Sequence, residues 1–210
     1  MPIVPMFPLG SVLLPDLPLP LRVFEPRYLK MLGDLLEEDE PEFGVVLIER
    51  GQEVGGGDER FHVGTLARVV ACEALKDCMV VVGLGTRRFT VLDWLSDDPY
   101  PRADIELLGP LEWQESDASL LQQTERQVRA AAELAEQPVG TDFTFSEDPV
   151  VACWQLAALA PLGDLDRTEL LRSTTGGEVL SRVLAETEEN LELMRLMGSQ
   201  SDGGDVQGES

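Results

Sequence analysis

Through the first 110 residues the apolar positions fall in short blocks of strand length. Residues 3–8 make one such block, and a proline-rich loop follows as far as Leu17. Residues 19–24 alternate and predict a second strand. Pro26 then stands where a helix takes its first turn, with Glu25 ahead of it. Tyr28, Leu29, Leu32, Leu35 and Leu36 recur at helical spacing until the acidic run 37–40 and Pro41 end the helix. Residues 43–49 are a continuous apolar run of strand length. The segment 51–60, with Gly55, Gly56 and Gly57, reads as a hairpin loop. Further strands are predicted at 61–73, 78–84, 88–94 and 103–108, the first two joined by a turn at 75–77. Six or more strands with one short helix predict a closed or half-closed β-barrel over residues 1–110, because closure removes exposed strand edges.

After Pro110 the pattern changes. Leu120, Leu121, Val128, Ala131, Leu134 and Ala135 predict a helix over 117–136, broken at 138–140. Asp148 followed by Pro149 is a cap and a first-turn proline, opening a helix through Trp154, Leu156 and Leu159 that Pro161 ends. Asp166 and Glu169 have capping-box spacing ahead of Leu170 and Leu171. From Val179 onward, Leu180, Leu184, Thr187, Leu191 and Met194 form one apolar stripe on a long helix. Residues 111–197 are therefore expected to be an α-helical bundle subdomain, and 198–210 a disordered acidic tail. The fold class is α+β. The stripe from 180 to 194 is expected to pack within the chain, which favours a monomer.

The 210 residues carry 39 acidic and 16 basic side chains, a net charge of −23. Nucleic acids and anionic membranes bind through Lys and Arg, so neither is an expected partner. The charge serves solubility, or, as a sharper alternative, a preference for basic or unfolded polypeptide segments. The first basic residue is Arg22, and Pro2, Pro5, Pro8, Pro15, Pro18 and Pro20 interrupt the opening apolar stretch. That pattern is unlike a secretory signal or a membrane helix. Cys72, Cys78 and Cys153 are too sparse for a disulfide framework, so a reducing cytoplasm is expected.

Candidate chemistry is thin. His62 is the only histidine, and it lies inside an apolar strand, so any triad would have to use it. Cys72 and Cys78 are separated by five residues, wider than a zinc knuckle, and a hairpin would put them on neighbouring strands as small core residues. Gly83 and Gly85 begin a dinucleotide fingerprint that lacks its third glycine and its helix. Asp97-Asp98 and the 37–40 run read as solvated charge. Trp94 and Trp113 are core candidates with aromatic surface as the alternative, and one of Arg87 and Arg88 is expected to point to solvent. No catalytic residue, metal site or cofactor is expected.

Several ordered blocks do stand out: Pro5-Met6-Phe7-Pro8-Leu9, Leu19-Pro20-Leu21-Arg22-Val23-Phe24-Glu25-Pro26-Arg27-Tyr28, Phe43-Gly44-Val45-Val46-Leu47-Ile48, Val63-Gly64-Thr65-Leu66-Ala67-Arg68-Val69, Gly85-Thr86-Arg87-Arg88-Phe89-Thr90-Val91 and Tyr100-Pro101-Arg102-Ala103. This set resembles the N-terminal substrate-binding domain of Lon proteases, a module shared with cereblon-like proteins, over residues 2–197. The resemblance implies a PUA-like β-barrel followed by a helical subdomain, and a role in engaging protein substrates. Neither Lys30 nor Lys76 sits in the G-x-x-x-x-G-K-[ST] loop an ATPase needs, and the serine–lysine peptidase domain has no counterpart. The expectation is a stand-alone bacterial-type member that performs no ATP-dependent proteolysis by itself.

Within the blocks, Phe24 to Tyr28 reads as a strand end running into a helix start, with Glu25 accepting the free N–H groups of the first turn and pairing with Arg22 or Arg27. Direct contact with substrate by Phe24, Arg27 or Tyr28 is the second reading. Leu14, Leu17 and Leu19, set among prolines, are expected to be exposed as a peptide-binding rim. The expected function is binding of unfolded or exposed polypeptide segments, as an adaptor to a protease or chaperone in protein quality control. The alternative is a small-molecule sensor using a crevice between barrel and helices.

Overall fold

Residues 78–84 and 88–94, expected as two strands, form a single one. In the computed structural model, which describes residues 2–48, 60–135 and 143–201, strand β5 runs without a break from Met79 to Trp94. Gly83 and Gly85, which open an incomplete dinucleotide fingerprint in the sequence, both lie within this strand. Gly85 serves another purpose. Its N–H donates to the Leu17 carbonyl and its own carbonyl accepts from the Asp16 N–H, both at 2.9 Å. A Cβ there would collide with the Leu14 carbonyl. The glycine marks a close approach of backbone, not a turn.

The other strands are β1 (Ile3–Leu9), β2 (Pro18–Val23), β3 (Glu42–Ile48), β4 (Arg60–Ala74) and β6 (Arg102–Leu107), with helix α1 (Pro26–Leu35) between β2 and β3. Their order in the sheet is β2-β5-β4-β3-β1-β6, and β6 also pairs with β5. That last pairing closes a ring. The long β5 makes it possible by changing neighbours: its first half pairs with β2 and its second half with β6. β1 and β3 are parallel, and the remaining pairs are antiparallel. The expected barrel is therefore present, ring-like but unevenly closed, with β2 attached outside the ring.

Strand alternation sorts the apolar residues into two clusters. Met6, Val46, Leu66, Phe89, Val91 and Ile105 form one of them. Their odd–even neighbours Phe7, Val45 and Ala67 turn the other way, onto Met31, Leu32 and Leu35 of α1. With both faces covered, β3 reads as a continuous apolar run instead of an alternating one. Gly64 is also a packing position. A Cβ on it would strike the Val45 carbonyl and sit 2.8 Å from both Phe89 and Val46.

The chain divides into two units. The first comprises residues 1–111 together with 164–174, and the second residues 112–163 with the segment from Thr175 onward. The short helix α4 (Asp164–Leu170) thus groups with the barrel, although it was expected within the helical part. Asp166 and Glu169 form no capping box, because the helix already begins at Asp164.

In the second unit, α5 (Gly176–Ser201) packs along α2 (Ala118–Leu134) and α3 (Pro149–Leu159). Asp148 caps α3 as expected, its side chain accepting from the N–H groups of Val150 and Val151. The helical stripe buries Leu180, Thr187 and Leu191, with Val183 beside them. A reciprocal capping box unread in the sequence starts α5: Glu178 N–H donates to Thr175 Oγ1 and Thr175 N–H to Glu178 Oε2. α5 passes the expected end at 197 and continues to Ser201; the expected tail beyond it and the Gly55–57 loop lie outside the described residues. Among the described residues no helix is long and apolar enough to cross a membrane.

Candidate functional site

The Phe24 to Tyr28 block lies at the junction of β2 and α1. Glu25 has extended backbone angles (φ −71°, ψ 132°) and Pro26 opens the helix behind it. The Glu25 carbonyl accepts from the N–H groups of Tyr28 and Leu29, both at 3.0 Å. Its carboxylate does not cap the helix as expected; it pairs with Arg27 Nε at 3.0 Å. The Arg27 guanidinium also lies 4.6 Å from the centre of the Tyr28 ring. The Glu25 carboxylate is taken instead by the charged Arg27 side chain, a stronger partner than a backbone N–H.

Tyr28 and Phe24 have opposite fates. The Tyr28 ring is buried and stacks on Phe7, centroids 4.0 Å apart and planes 15° from parallel. Burial pushes its hydroxyl pKa up, against the opposing pull of Arg27. Phe24, by contrast, is 67% exposed, and Arg27 beside it is exposed too. Among the described residues of the barrel unit, this ring is the most accessible large apolar group.

The rim expected at Leu14, Leu17 and Leu19 is only partly present. Leu14 is 2% exposed and Leu13 is buried with it. The reason is hydrogen bonding: the Leu13 carbonyl accepts from Thr65 Oγ1 at 2.7 Å, and the following residues bond to Gly85. This stretch is anchored to β4 and β5 and is no free loop. Asp16, with φ 61°, makes the bend. Leu17 and Leu19 are half-buried, and Leu19 packs on the α1 cluster. Of the six candidates, Phe24 and Arg27 face solvent, Leu17 and Leu19 do so in part, and Leu14 and Tyr28 do not.

Beyond the junction, Arg60 at the start of β4 lies 4.5 Å from the Trp94 ring centre and binds Asp97 through Nη2 at 2.7 Å. Asp97, expected as solvated charge, is thus an ion-pair partner. Tyr100 donates to Asp34 at 3.2 Å; the hydrogen bond from Lys30, then the one from Tyr100, hold the Asp34 carboxyl below its usual range.

The other groups raised by the sequence fall into structural roles. His62 is exposed on β4 with Nδ1 3.4 Å from the Val91 carbonyl. Cys78 is buried and accepts from Arg22 Nε at 3.3 Å. Cys72, expected as a core residue, is exposed, because the end of β4 runs past β3 into solvent. Trp113 is half-buried over Gly176. Arg87 points to solvent and binds Glu42 at 2.7 Å, whereas Arg88 is buried. Among the described residues no group of three or more His, Cys, Asp or Glu is arranged to hold a metal ion.

A family profile for the "ATP-dependent protease La (LON) substrate-binding domain" matches residues 3–188. The chain belongs to this family. Among curated relatives of this Lon substrate-binding domain, a Lon protease of Anaeromyxobacter dehalogenans is 36% identical over 107 residues, covering 50% of this chain and 13% of the relative. Lon protease 2 of Herpetosiphon aurantiacus is 26% identical over 203 residues, covering 95% of this chain. The chain spans 13% and 24% of the lengths of these two relatives. A Lon N-terminal domain protein from Xanthomonas campestris superimposes with a TM-score of 0.65 at 28% identity, covering 88% of this chain and 98% of that one. The N-terminal domain of a Mycobacterium avium complex Lon protease has the same fold, with a TM-score of 0.66 at 14% identity, over 89% of this chain and 98% of that one.

Proposed function

We propose that this Lon substrate-binding domain holds exposed apolar segments of other polypeptides and acts as an adaptor that presents them to a separate protease or chaperone. In this reading it is a binding module without catalytic chemistry of its own, working in the cytoplasm. The observation that carries it is Phe24: a ring 67% exposed, fixed by β2 before it and by Pro26 after it. A preordered aromatic anchor loses little conformational freedom on binding, which is why such residues dominate the energetics of interfaces. Leu17 and Leu19, half-buried on the same side of the junction in sequence, extend the apolar surface available. The net charge of −23 supports polypeptides over nucleic acids as partners.

The test is fluorescence anisotropy of labelled, permanently unfolded polypeptides titrated with the protein at two salt concentrations. Saturable binding that survives added salt and is weakened by Phe24→Ser supports the reading. Binding that disappears with salt points to capture by surface charge alone. No saturation at high micromolar protein overturns it.

A further inference from the structure

Strands β2, β5 and β4 share a stretch with two unlike sides. Leu19, Leu21, Val23 and Val81 turn to the α1 cluster. Alternation puts their neighbours on the opposite side, and the register lines these up in rows. Pro20 lies opposite Val82, and Val82 opposite Ala71. On one side of that row, Pro18 faces Leu84, which faces Arg68; on the other, Arg22 faces Val80, which faces Glu73. Pro18, Pro20 and Ala71 are exposed and the three β5 residues are half-buried. Val70, at the β4 irregularity beside Ala71, is 54% exposed. The patch is apolar across all three strands, with charge at three of its four corners, two of them guanidinium ions.

Its size decides what it can hold. Strands lie about 4.8 Å apart and same-side residues about 7 Å apart along a strand. Three strands by three rows therefore span about 10 Å by 14 Å. That is well below the roughly 800 Å² per partner of a stable protein interface, so a second copy of the chain is a poor fit. An extended segment of about four or five residues fits well. The free edge of β2 does not invite strand addition. Its ladder with β5 is continuous from Pro18 to Val23, and the two prolines, spaced two apart, remove donors from the same outer edge. Recognition on this side falls to side chains packing on the face.

Charge selects the segment. At long range an acidic chain favours basic partners. Within a Debye length, about 8 Å at physiological salt, the patch has Arg22, Arg68 and Glu73 at its corners, and Glu42, opposite Arg68 in register, is already paired with Arg87, so the balance is positive. We propose that the β2–β5–β4 face binds a short apolar segment of a client polypeptide flanked by carboxylates, with its side chains on Val82 and Leu84 and its flanks on Arg22 and Arg68. This rests on the polypeptide-binding reading above and names the class of segment taken.

The experiment uses the full chain at physiological salt and two labelled peptides with the same apolar five-residue centre, one flanked by Asp and one by Lys. The Asp-flanked peptide is expected to bind about three- to tenfold more tightly, the range of two exposed ion pairs. Val82→Ser is expected to weaken it about tenfold. Should that variant lose its fold by circular dichroism, Ala71→Glu, at an exposed position, carries the same test by placing a carboxylate mid-patch. Equal binding of the two peptides, or preference for Lys flanks, overturns the proposal. So does binding that Phe24→Ser abolishes and Val82→Ser and Ala71→Glu leave intact; in that case the broader reading stands. Failure of both peptides while unfolded polypeptides bind also overturns only this proposal. Failure of every polypeptide overturns both readings. Self-association that Val82→Ser abolishes would assign the face to a second copy and overturn it as well.

Discussion

Arg88 of β5 donates a hydrogen bond of 3.0 Å to the backbone carbonyl of Leu171, 83 residues further along the chain. The same guanidinium donates to the Ser173 carbonyl and, at 2.6 Å, to that of Gly109. The side chain is only 5% exposed, and burial lowers its pKa from the ordinary arginine value. One planar fork thus gathers three carbonyls from two distant parts of the first unit. This is how residues 164–174 come to belong with the barrel.

Replacing Arg88 by Leu would leave the buried carbonyls of Leu171 and Ser173 without this donor, while that of Gly109 is exposed and can turn to water. The expected loss is about 2–6 kcal/mol of unfolding free energy, since each of these two unsatisfied buried groups costs roughly 1–3 kcal/mol. Arg88→Lys should recover only part of it, because an ammonium lacks the fork. Urea titration of both variants checks the order. A lysine as stable as the arginine would contradict the account.

Gly64→Ala tests the close packing of the barrel. The added methyl would meet the Val45 carbonyl, which is backbone and cannot rotate away, as well as Phe89 and Val46. Overpacking of this kind costs typically 1–3 kcal/mol, and a collision with backbone places it at about 3 kcal/mol or above. Gly33→Ala serves as the control, since a Cβ there meets nothing within 4 Å and the position is helical. The control should gain about 0.5–1 kcal/mol, read as a rise in melting temperature.

Phe24 and Tyr28 separate binding from stability within one motif. Phe24→Ser should leave the unfolding midpoint within about 0.5 kcal/mol of the parent, as surface changes do, while weakening polypeptide binding tenfold or more. Tyr28→Ser removes a buried ring stacked on Phe7 and should cost about 3–5 kcal/mol. Paired denaturation and anisotropy measurements decide it. Loss of stability from Phe24→Ser would show that the ring is structural after all.

Cys153 predicts an alkaline limit. It is fully buried in α3, and burial, aided by Asp117, pushes its thiol pKa from 9.0 up to about 12. The folded state therefore holds its proton more tightly than the unfolded chain. That contribution is complete below pH 9 and is lost as pH rises from about 9 to about 12. Tyr28, also raised by burial, acts in the same direction at higher pH. The stability difference between the parent and Cys153→Ala, followed from pH 8 to 11, should shrink with rising pH. In native protein at pH 8, a thiol reagent should label the exposed Cys72 and spare Cys78 and Cys153.

Much of the architecture was legible because it depends on local rules. Short apolar runs marked β1 and β3, alternation marked β2, helical spacing marked α1 and α5, and Asp148-Pro149 marked the start of α3. The errors came where a residue type has two uses. Gly85 begins a dinucleotide-like pattern in the sequence, whereas in the fold it makes room for the Leu14 carbonyl. Leu14 was placed on the surface because it lies among prolines, yet Thr65 and Gly85 tie its loop down. Thr175-x-x-Glu178 has capping-box spacing, but it opens four residues ahead of Val179, where the apolar stripe begins, and so lies outside the periodic signal.

The candidate site divides the same way. Sequence alone marked the Phe24 to Tyr28 block, since a strand ending at a first-turn proline is a local matter of fixed φ and a missing donor. It also carried the likeness to the Lon domain through the order of the blocks. Which aromatic ring is buried was decided only by tertiary contact: Phe7, 21 positions earlier, covers Tyr28 and leaves Phe24 in water. Ring closure likewise depends on β5 changing partners from β2 to β6, and the apolar face between Arg22 and Arg68 on the register of three strands. Periodicity along a chain tells which residues share a side of an element. It does not tell which element comes to lie against that side, because that is settled by contacts between residues far apart in sequence.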